Sequence, residues 1–124
     1  MLFSKRLSNF STTDSVDPTL ESSLADSLQS LCSGGDGNQT SALDVTSPYV
    51  FDNNYYKNLL TEKGLLSSDQ GLFSSADTKA LVQAYSANSE RFFCDFGRSM
   101  VKMGNIRPLT GSAGQIRRNC RAVN

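Results

Sequence analysis

Apolar residues recur along most of this chain at the three- and four-residue spacing of amphipathic helices. The clearest case is a face of four leucines separated by four, four and three positions: Leu20, Leu24, Leu28 and Leu31. Before them stands Asp17-Pro18, the order of an N-cap residue and a proline at the first helical position. After them comes Ser33-Gly34-Gly35. The pattern predicts a helix capped by Asp17 and ended near Gly34.

Three more helices are predicted downstream, and a shorter apolar stripe in the first dozen residues indicates a partial one. The first spans residues 53–62, carries a tyrosine pair interpreted as core packing, and ends at Gly64. The second begins at Asp77 as N-cap, and the longest spans residues 90–103. Five residues give this last helix a broad face interpreted as core, with the methionines filling gaps: Phe92, Phe93, Phe96, Met100 and Met103. The predicted fold class is mainly α, with four or five helices and no sheet beyond a short pairing near Leu43 or Leu65.

Composition bounds the class of protein. A chain of 124 residues with 38% hydrophobic content suits one small domain. Twelve basic residues balance twelve acidic ones, so neither nucleic acid nor a membrane surface is predicted as a partner. The first ten residues, M-L-F-S-K-R-L-S-N-F, lack an apolar core and do not predict a secretion signal.

Candidate chemistry is concentrated in residues 44–52, which we call the oxygen-rich loop. Asp44, Ser47 and Asp52 surround Pro48, which biases the preceding residue toward extended backbone with accessible carbonyl groups. Carboxylate, hydroxyl and carbonyl oxygens are the ligands that Ca²⁺ takes in proteins. The alternative is that Asp52 only caps the helix that follows. Both interpretations fit the residues.

Longer segments of this chain resemble one family. F-D-N-N-Y-Y-K-N-L, K-G-L-L-S-S-D-Q-G-L-F and the tail M-G-N-I-R-P-L-T-G-S-A-G-Q-I-R-R-N-C-R-A-V-N are similar to the C-terminal part of the secretory plant (class III) haem peroxidases. The resemblance covers nearly all of residues 1–124 but less than half of the family's domain. It implies the proximal, C-terminal portion of the haem-peroxidase fold, truncated, with the distal half and the haem-ligating histidine absent.

The family's activity is the H₂O₂-dependent one-electron oxidation of phenolic donors with haem b, which removes hydrogen peroxide under oxidative stress. The resemblance also implies bound Ca²⁺ and a secreted protein of the cell wall or vacuole. This chain contains no histidine, so alone it is predicted to be inactive and not to bind haem specifically. The alternatives are a non-enzymatic remnant with weak Ca²⁺ binding and a small secreted interaction module.

The resemblance also assigns roles within the matched segments. Asp44, Ser47, Val50 and Asp52 correspond to the family's proximal Ca²⁺ site, which an upstream threonine completes, so the site here is predicted to be incomplete. Asp69 corresponds to the carboxylate that accepts a hydrogen bond from the iron-ligating imidazole. Without that imidazole, Asp69 is expected to be solvated or to cap the turn that follows it.

Three cysteines and two sequons complete the candidate positions. By resemblance, Cys32 and Cys120 are half-cystines whose partners lie outside this chain, while Cys94 is expected to be a buried helical thiol. Asn9 and Asn38 each begin an Asn-X-Ser/Thr triplet and are glycosylation candidates.

Overall fold

The structure is a computed structural model, and it describes residues 3–34 and 39–124. Within these ranges it is helical and contains no strand, as the periodicity predicted. The five α-helices are, in chain order, α1 (Ser22–Ser33), α2 (Asn54–Leu60), α3 (Ser67–Ser74), α4 (Ala76–Ala87) and α5 (Ser89–Gly104). Two single 3₁₀ turns, Ser4–Arg6 and Gly111–Ala113, lie near the two ends of the chain.

The chain divides into two units, Met1–Phe92 and Phe93–Asn124. In the first unit, α2, α3 and α4 pack against one another. Its buried apolar cluster joins the residues around the first 3₁₀ turn to α1 and to the segment before α3: Phe3, Leu7, Leu20, Ala25, Leu28 and Leu65. The leucine face of α1 is thus largely core, although Leu31 at its end is 37% exposed.

Helix α1 begins later than predicted, and its cap is a different residue. Glu21 is the N-cap, and its carboxylate accepts hydrogen bonds from the backbone N–H groups of Ser23 and Leu24 at 3.1 and 2.9 Å. Asp17 instead accepts from the backbone N–H of Thr19 at 2.8 Å and forms an ion pair with Arg6. The prediction of Asp17 as N-cap was wrong because a charged partner eleven residues earlier in the chain takes its carboxylate.

Arg6 is the most deeply buried charged side chain that the structure describes, with 2% exposure. Its Nε donates to Oδ2 of Asp17 at 2.6 Å. Nη1 donates to the carbonyls of Gly64 and Leu65, the latter at 3.1 Å. Nη2 donates to the carbonyl and hydroxyl oxygens of Thr19 at 3.3 and 3.2 Å. One guanidinium therefore joins the start of the chain to the segment before α1 and to the connection between α2 and α3.

The connection between α2 and α3 begins directly after Leu60. The helix ends at Leu60, before the predicted boundary, and Glu62 takes a left-handed conformation with φ of 60°. Gly64 ends no helix, but its site excludes a side chain: a Cβ there would lie 2.9 Å from the backbone nitrogen of Gln70 and from Cδ2 of Leu59. Gly64 is needed for close approach of the backbone to α3.

Two predictions about the later helices need correction. Asp77 is the second residue of α4 and does not cap it, because the helix begins at Ala76 with Ser75 as N-cap. Helix α5 has nearly the predicted bounds, but of its apolar face only Phe92 is buried. The other four side chains are 40–56% exposed, so their interpretation as core and gap-filling residues was wrong: Phe93, Phe96, Met100 and Met103. Spacing defines an apolar face but does not supply residues to cover it.

Candidate functional site

The oxygen-rich loop is folded around the Asp44 carboxylate. Oδ1 accepts from the backbone N–H groups of Thr46 and Ser47 at 2.9 and 3.1 Å. The same oxygen accepts from Nδ2 of Asn58 at 2.8 Å, and Oδ2 accepts from the Ser47 hydroxyl at 3.0 Å. Partial burial opposes ionisation of Asp44, but these donors outweigh it and hold the pKa of the carboxyl below its ordinary value. The carboxylate is therefore ionised at neutral pH.

The side chain of Asn54 brings the second carboxylate of the loop to the first. Its Nδ2 lies 3.0 Å from Oγ of Ser47 and 2.9 Å from Oδ2 of Asp52. Because the Ser47 hydroxyl also contacts Asp44, one chain of hydrogen bonds connects Asp44, Ser47, Asn54 and Asp52. The structure thus brings together three of the four residues predicted for Ca²⁺, with an amide donor between two of their oxygens.

The fourth residue, Val50, lies at the end of a turn, and its backbone N–H donates to the Ser47 carbonyl at 3.1 Å. Residues 43–50 contain bends and a turn, and they form no strand, so the short pairing considered near Leu43 is absent from this segment. The Asp52 carboxylate also accepts from the backbone N–H of Asn54, the first residue of α2, at 2.7 Å. The N-cap residue of α2 is nevertheless Asn53, so the interpretation of Asp52 as the helix cap was wrong. Asp52 contacts the first residue of the helix and is connected to Ser47 through Asn54.

Asp69 lies in the first turn of α3 and is buried, with 9% exposure. Its Oδ2 accepts from the backbone N–H of Leu66 at 2.8 Å, and its Oδ1 accepts from the Tyr55 hydroxyl at 2.8 Å. Asp69 therefore does have a capping role, but at the beginning of α3 and not in the turn that follows it. The alternative, that its carboxylate is solvated, was wrong because the side chain is buried. Burial, followed by the hydrogen bond to this carboxylate and its charge, raises the pKa of Tyr55 strongly.

Three residues of α2 that organise these sites were missed by sequence reasoning. Asn54 and Asn58, one helical turn apart, bind the oxygen-rich loop, and Tyr55 binds Asp69. The spacing of the two asparagines was a usable signal, since residues four apart in a helix share a face. No local sequence pattern predicted the contact between Tyr55 and Asp69, because the two residues are fourteen positions apart.

The remaining candidate positions are scattered. Cys32 is half-buried, whereas Cys94 and Cys120 are exposed, and no two of the three are joined. The expectation that Cys94 is buried was wrong. Asn9 is exposed and left-handed, with φ of 51°, while Asn38 lies outside the described residues.

Clusters of metal ligands and membrane-spanning helices are two other features that could indicate function. Over residues 3–34 and 39–124, no three His, Cys, Asp or Glu side chains cluster as metal ligands would. The oxygen-rich loop offers only two carboxylates, so its other potential ligands are hydroxyl and carbonyl oxygens. No helix in the described part of the chain is both long and apolar enough to cross a membrane.

Comparisons with known proteins define the class of this chain. A sequence model described as "Peroxidase" matches residues 1–88. Peroxidase 15 of Ipomoea batatas is 54% identical over 98% of this chain and 38% of its own length. Peroxidase N of Armoracia rusticana is 52% identical over 99% of the chain and 38% of its own length, and Peroxidase 54 of Arabidopsis thaliana is 49% identical over 98% and 35%.

This chain belongs to the peroxidase family. It aligns with plant peroxidases along nearly all of its own length while spanning somewhat more than a third of theirs. The resemblance drawn from the sequence is therefore confirmed at the level of the family.

Proposed function

We propose that this chain is the C-terminal, proximal portion of a secreted plant haem peroxidase, whose activity is the H₂O₂-dependent one-electron oxidation of phenolic donors. The observation that carries the proposal is the match to plant peroxidases at about half identity across the chain. The buried Asp69, fixed by Leu66 and Tyr55, supports it, because a carboxylate that orients a neighbouring ligand must itself be held in place.

Taken alone, the chain does not fit haem. It has no histidine, so no imidazole is available as an axial ligand. Both oxygens of Asp69 already accept hydrogen bonds from within the chain. Haem binding and turnover are thus assigned to a longer polypeptide that includes the part of the relatives which this chain does not match, and the isolated chain is proposed to be inactive.

A chimera tests this assignment. The part of Ipomoea batatas Peroxidase 15 that precedes the matched segment would be joined to this chain, refolded with hemin and Ca²⁺, and assayed with H₂O₂ and guaiacol. We expect turnover by the chimera, less turnover with Asp69→Asn, and none above free hemin from the chain alone. A chimera that binds haem but lacks turnover, or an isolated chain that turns over guaiacol well above free hemin, would contradict the proposal.

A second candidate function, weak Ca²⁺ binding, is favoured by the hydrogen-bonded oxygens of the loop. Asp44 and Asp52 supply two negative charges, and the Ser47 hydroxyl lies between them, 3.0 Å from Oδ2 of Asp44. A cation in this place would displace the amide nitrogen of Asn54, which is 2.9 Å from Asp52. With few carboxylates, the expected affinity is that of weak extracellular sites, roughly 10⁻⁴ to 10⁻³ M.

Calorimetric titration with Ca²⁺ tests this candidate on the isolated chain. Asp44→Ala and Asp52→Ala should each abolish the binding heat, whereas Asp14→Ala, which removes an exposed carboxylate outside the loop, should leave it unchanged. Equal heats from all four proteins would mean that the loop only holds the beginning of α2. The interaction-module alternative stays a prediction.

A further inference from the structure

Three of the four tyrosines of this chain lie in one aromatic cluster that includes α2, α4 and the start of α5. The ring centroids of Tyr55 and Tyr56 are 5.2 Å apart, and those of Tyr56 and Tyr85 are also 5.2 Å apart. Phe92 closes the cluster, 5.0 Å from Tyr56 and 5.9 Å from Tyr85. These separations are those of rings in direct edge or tilted contact. The phenols therefore form a continuous row, Tyr55 to Tyr56 to Tyr85.

The row is held rigidly at both ends. Nδ2 of Asn53, at the beginning of α2, donates to the carbonyls of Tyr85 and Ser86 at 2.8 and 3.0 Å and ties α2 to the end of α4. At the other end, the Tyr55 hydroxyl donates to Asp69, which is fixed in turn by the Leu66 N–H. Fixed ring separations favour electron exchange between neighbours, because little rearrangement accompanies each step.

The two ends of the row differ in where a phenolic proton can go. Oxidation of a phenol by one electron makes its O–H group strongly acidic, so a nearby base determines how readily the electron leaves. Tyr55 has such a base in place, since its hydroxyl is 2.8 Å from a carboxylate oxygen of Asp69. Tyr56 and Tyr85 are half-buried and contact solvent, so water is available to take their protons.

We propose that Tyr55 and Asp69 form a proton-coupled redox site, and that Tyr56 and Tyr85 carry the oxidising equivalent from it to the protein surface. A one-electron oxidant of the metal-complex class takes an electron from Tyr55 as the phenolic O–H bond breaks. The proton passes to Oδ1 of Asp69, which leaves a neutral tyrosyl radical beside a carboxylic acid.

The following steps return the site to its resting state. Tyr56 donates an electron to the Tyr55 radical, Asp69 returns the proton to Tyr55, and Tyr56 releases its own proton to water. Tyr85 then reduces Tyr56 in the same way, with water exchanging the two protons. The net change is one electron from Tyr85 to the oxidant and one proton from Tyr85 to solvent. The inference does not rest on the proposed enzymatic activity, because the oxidant can be supplied from outside.

Flash photolysis with ruthenium(III) tris-bipyridine tests the proposal on the intact chain. The parent protein is Tyr49→Phe, because Tyr49 is 99% exposed and would be oxidised directly. The rise of tyrosyl absorption is followed in H₂O and D₂O, and radicals are trapped with a nitroso compound and located by peptide mass spectrometry. We expect a fast phase that is independent of pH across the neutral range, slower in D₂O, with trapped radical on Tyr85.

Three variants in this background separate the relay from direct oxidation of surface tyrosines. Asp69→Asn and Tyr55→Phe should each slow the rise by about a hundredfold, the low end of what a positioned base contributes, and reduce the Tyr85 adduct. Tyr85→Phe should keep the fast phase and move the adduct to Tyr56. Tyr55→Phe preserves the bond between Asp69 and Leu66, so it decides the matter if Asp69→Asn does not fold. A fast phase that survives Tyr55→Phe, or one lost in Tyr85→Phe, would overturn the proposal.

Discussion

Removal of the Arg6 guanidinium should have a larger effect on stability than any other change of a charged side chain described above. Arg6→Ala leaves the Asp17 carboxylate, 3% exposed, without its ion-pair partner. It also removes the donor that serves the carbonyls of Gly64 and Leu65. Asp17 keeps its hydrogen bonds from the backbone N–H and hydroxyl of Thr19, so one charge is under-compensated but not isolated.

The magnitude follows from what is left behind. Breaking a buried ion pair by deleting one partner costs about 3–5 kcal/mol, because the remaining charge stays desolvated. Small domains have roughly 5–15 kcal/mol of total stability. Arg6→Ala should therefore remove about a fifth or more of the free energy of unfolding. Arg6→Lys should recover only part of it, because an ammonium cannot reproduce the planar fork that contacts Asp17 and Gly64 together.

Urea unfolding followed by far-ultraviolet circular dichroism measures the effect. The matched control is Arg98→Ala, since Arg98 is 74% exposed and its ion pair with Asp95 is 3.8 Å long. The control should lie within about 0.5 kcal/mol of the wild type. Equal shifts of the unfolding midpoint for Arg6→Ala and Arg98→Ala would refute the argument that the buried guanidinium holds the first unit together.

Three further changes are expected to have measurable effects on unfolding. Gly64→Ala should destabilise by roughly 1–3 kcal/mol, because its Cβ would meet the Gln70 backbone at 2.9 Å, whereas Gly71→Ala, with nothing within 4 Å inside α3, should be neutral or stabilising. Asp17→Asn should destabilise most at neutral pH. Hydrogen bonds and Arg6 outweigh burial and lower the pKa of Asp17 below its ordinary value of 3.8. The stability that the ionised carboxylate gives the wild type is therefore lost only as pH falls below that value. A difference in unfolding free energy between wild type and variant that does not change with pH would contradict the assignment. Glu62→Gly should stabilise the protein by a few tenths to about 1 kcal/mol, because glycine adopts a φ of 60° without the strain of a side chain. A loss of stability would show that the Glu62 side chain makes stabilising contacts that outweigh this strain.

Local periodicity was sufficient for α1, α2, α4 and α5, but not for the ends of these helices. It did not predict α3, and the partial helix expected in the first dozen residues is only the 3₁₀ turn Ser4–Arg6. The leucines of α1 and the long apolar repeat of α5 were predictable because each pattern is repeated over several turns. The start of α1 was not, because Asp17 satisfies every local rule for an N-cap and is nevertheless bound by Arg6, eleven residues away. Glu21, an uncommon cap, takes its place. Competition from distant partners is invisible to a window of a few residues.

The candidate site shows the same division. The candidate oxygen ligands of residues 44–52 could be named from composition and resemblance, because they are close in sequence and share one type of chemistry. Their arrangement could not be named, since it depends on Asn54 and Asn58, which read in sequence only as polar positions of a short helix. The exposure of Phe93 and Met100 could not be predicted either, because helical spacing shows that a face is apolar but not whether other residues pack against it.

Helix α2, seven residues long, connects the two parts of the site that sequence reasoning treated separately. Asn58 holds the oxygen-rich loop at Asp44, while Tyr55, on another face of the same helix, holds Asp69. Leu59 of the same helix is fully buried, with 0% exposure, so rotation of the helix would move this side chain out of its packed position. We therefore expect a ligand that repositions the loop through Asn54 or Asn58 to alter the hydrogen bond between Tyr55 and Asp69 as well. Because the helix is short and rigid, the two carboxylates, 25 positions apart in the chain, respond to one structural element.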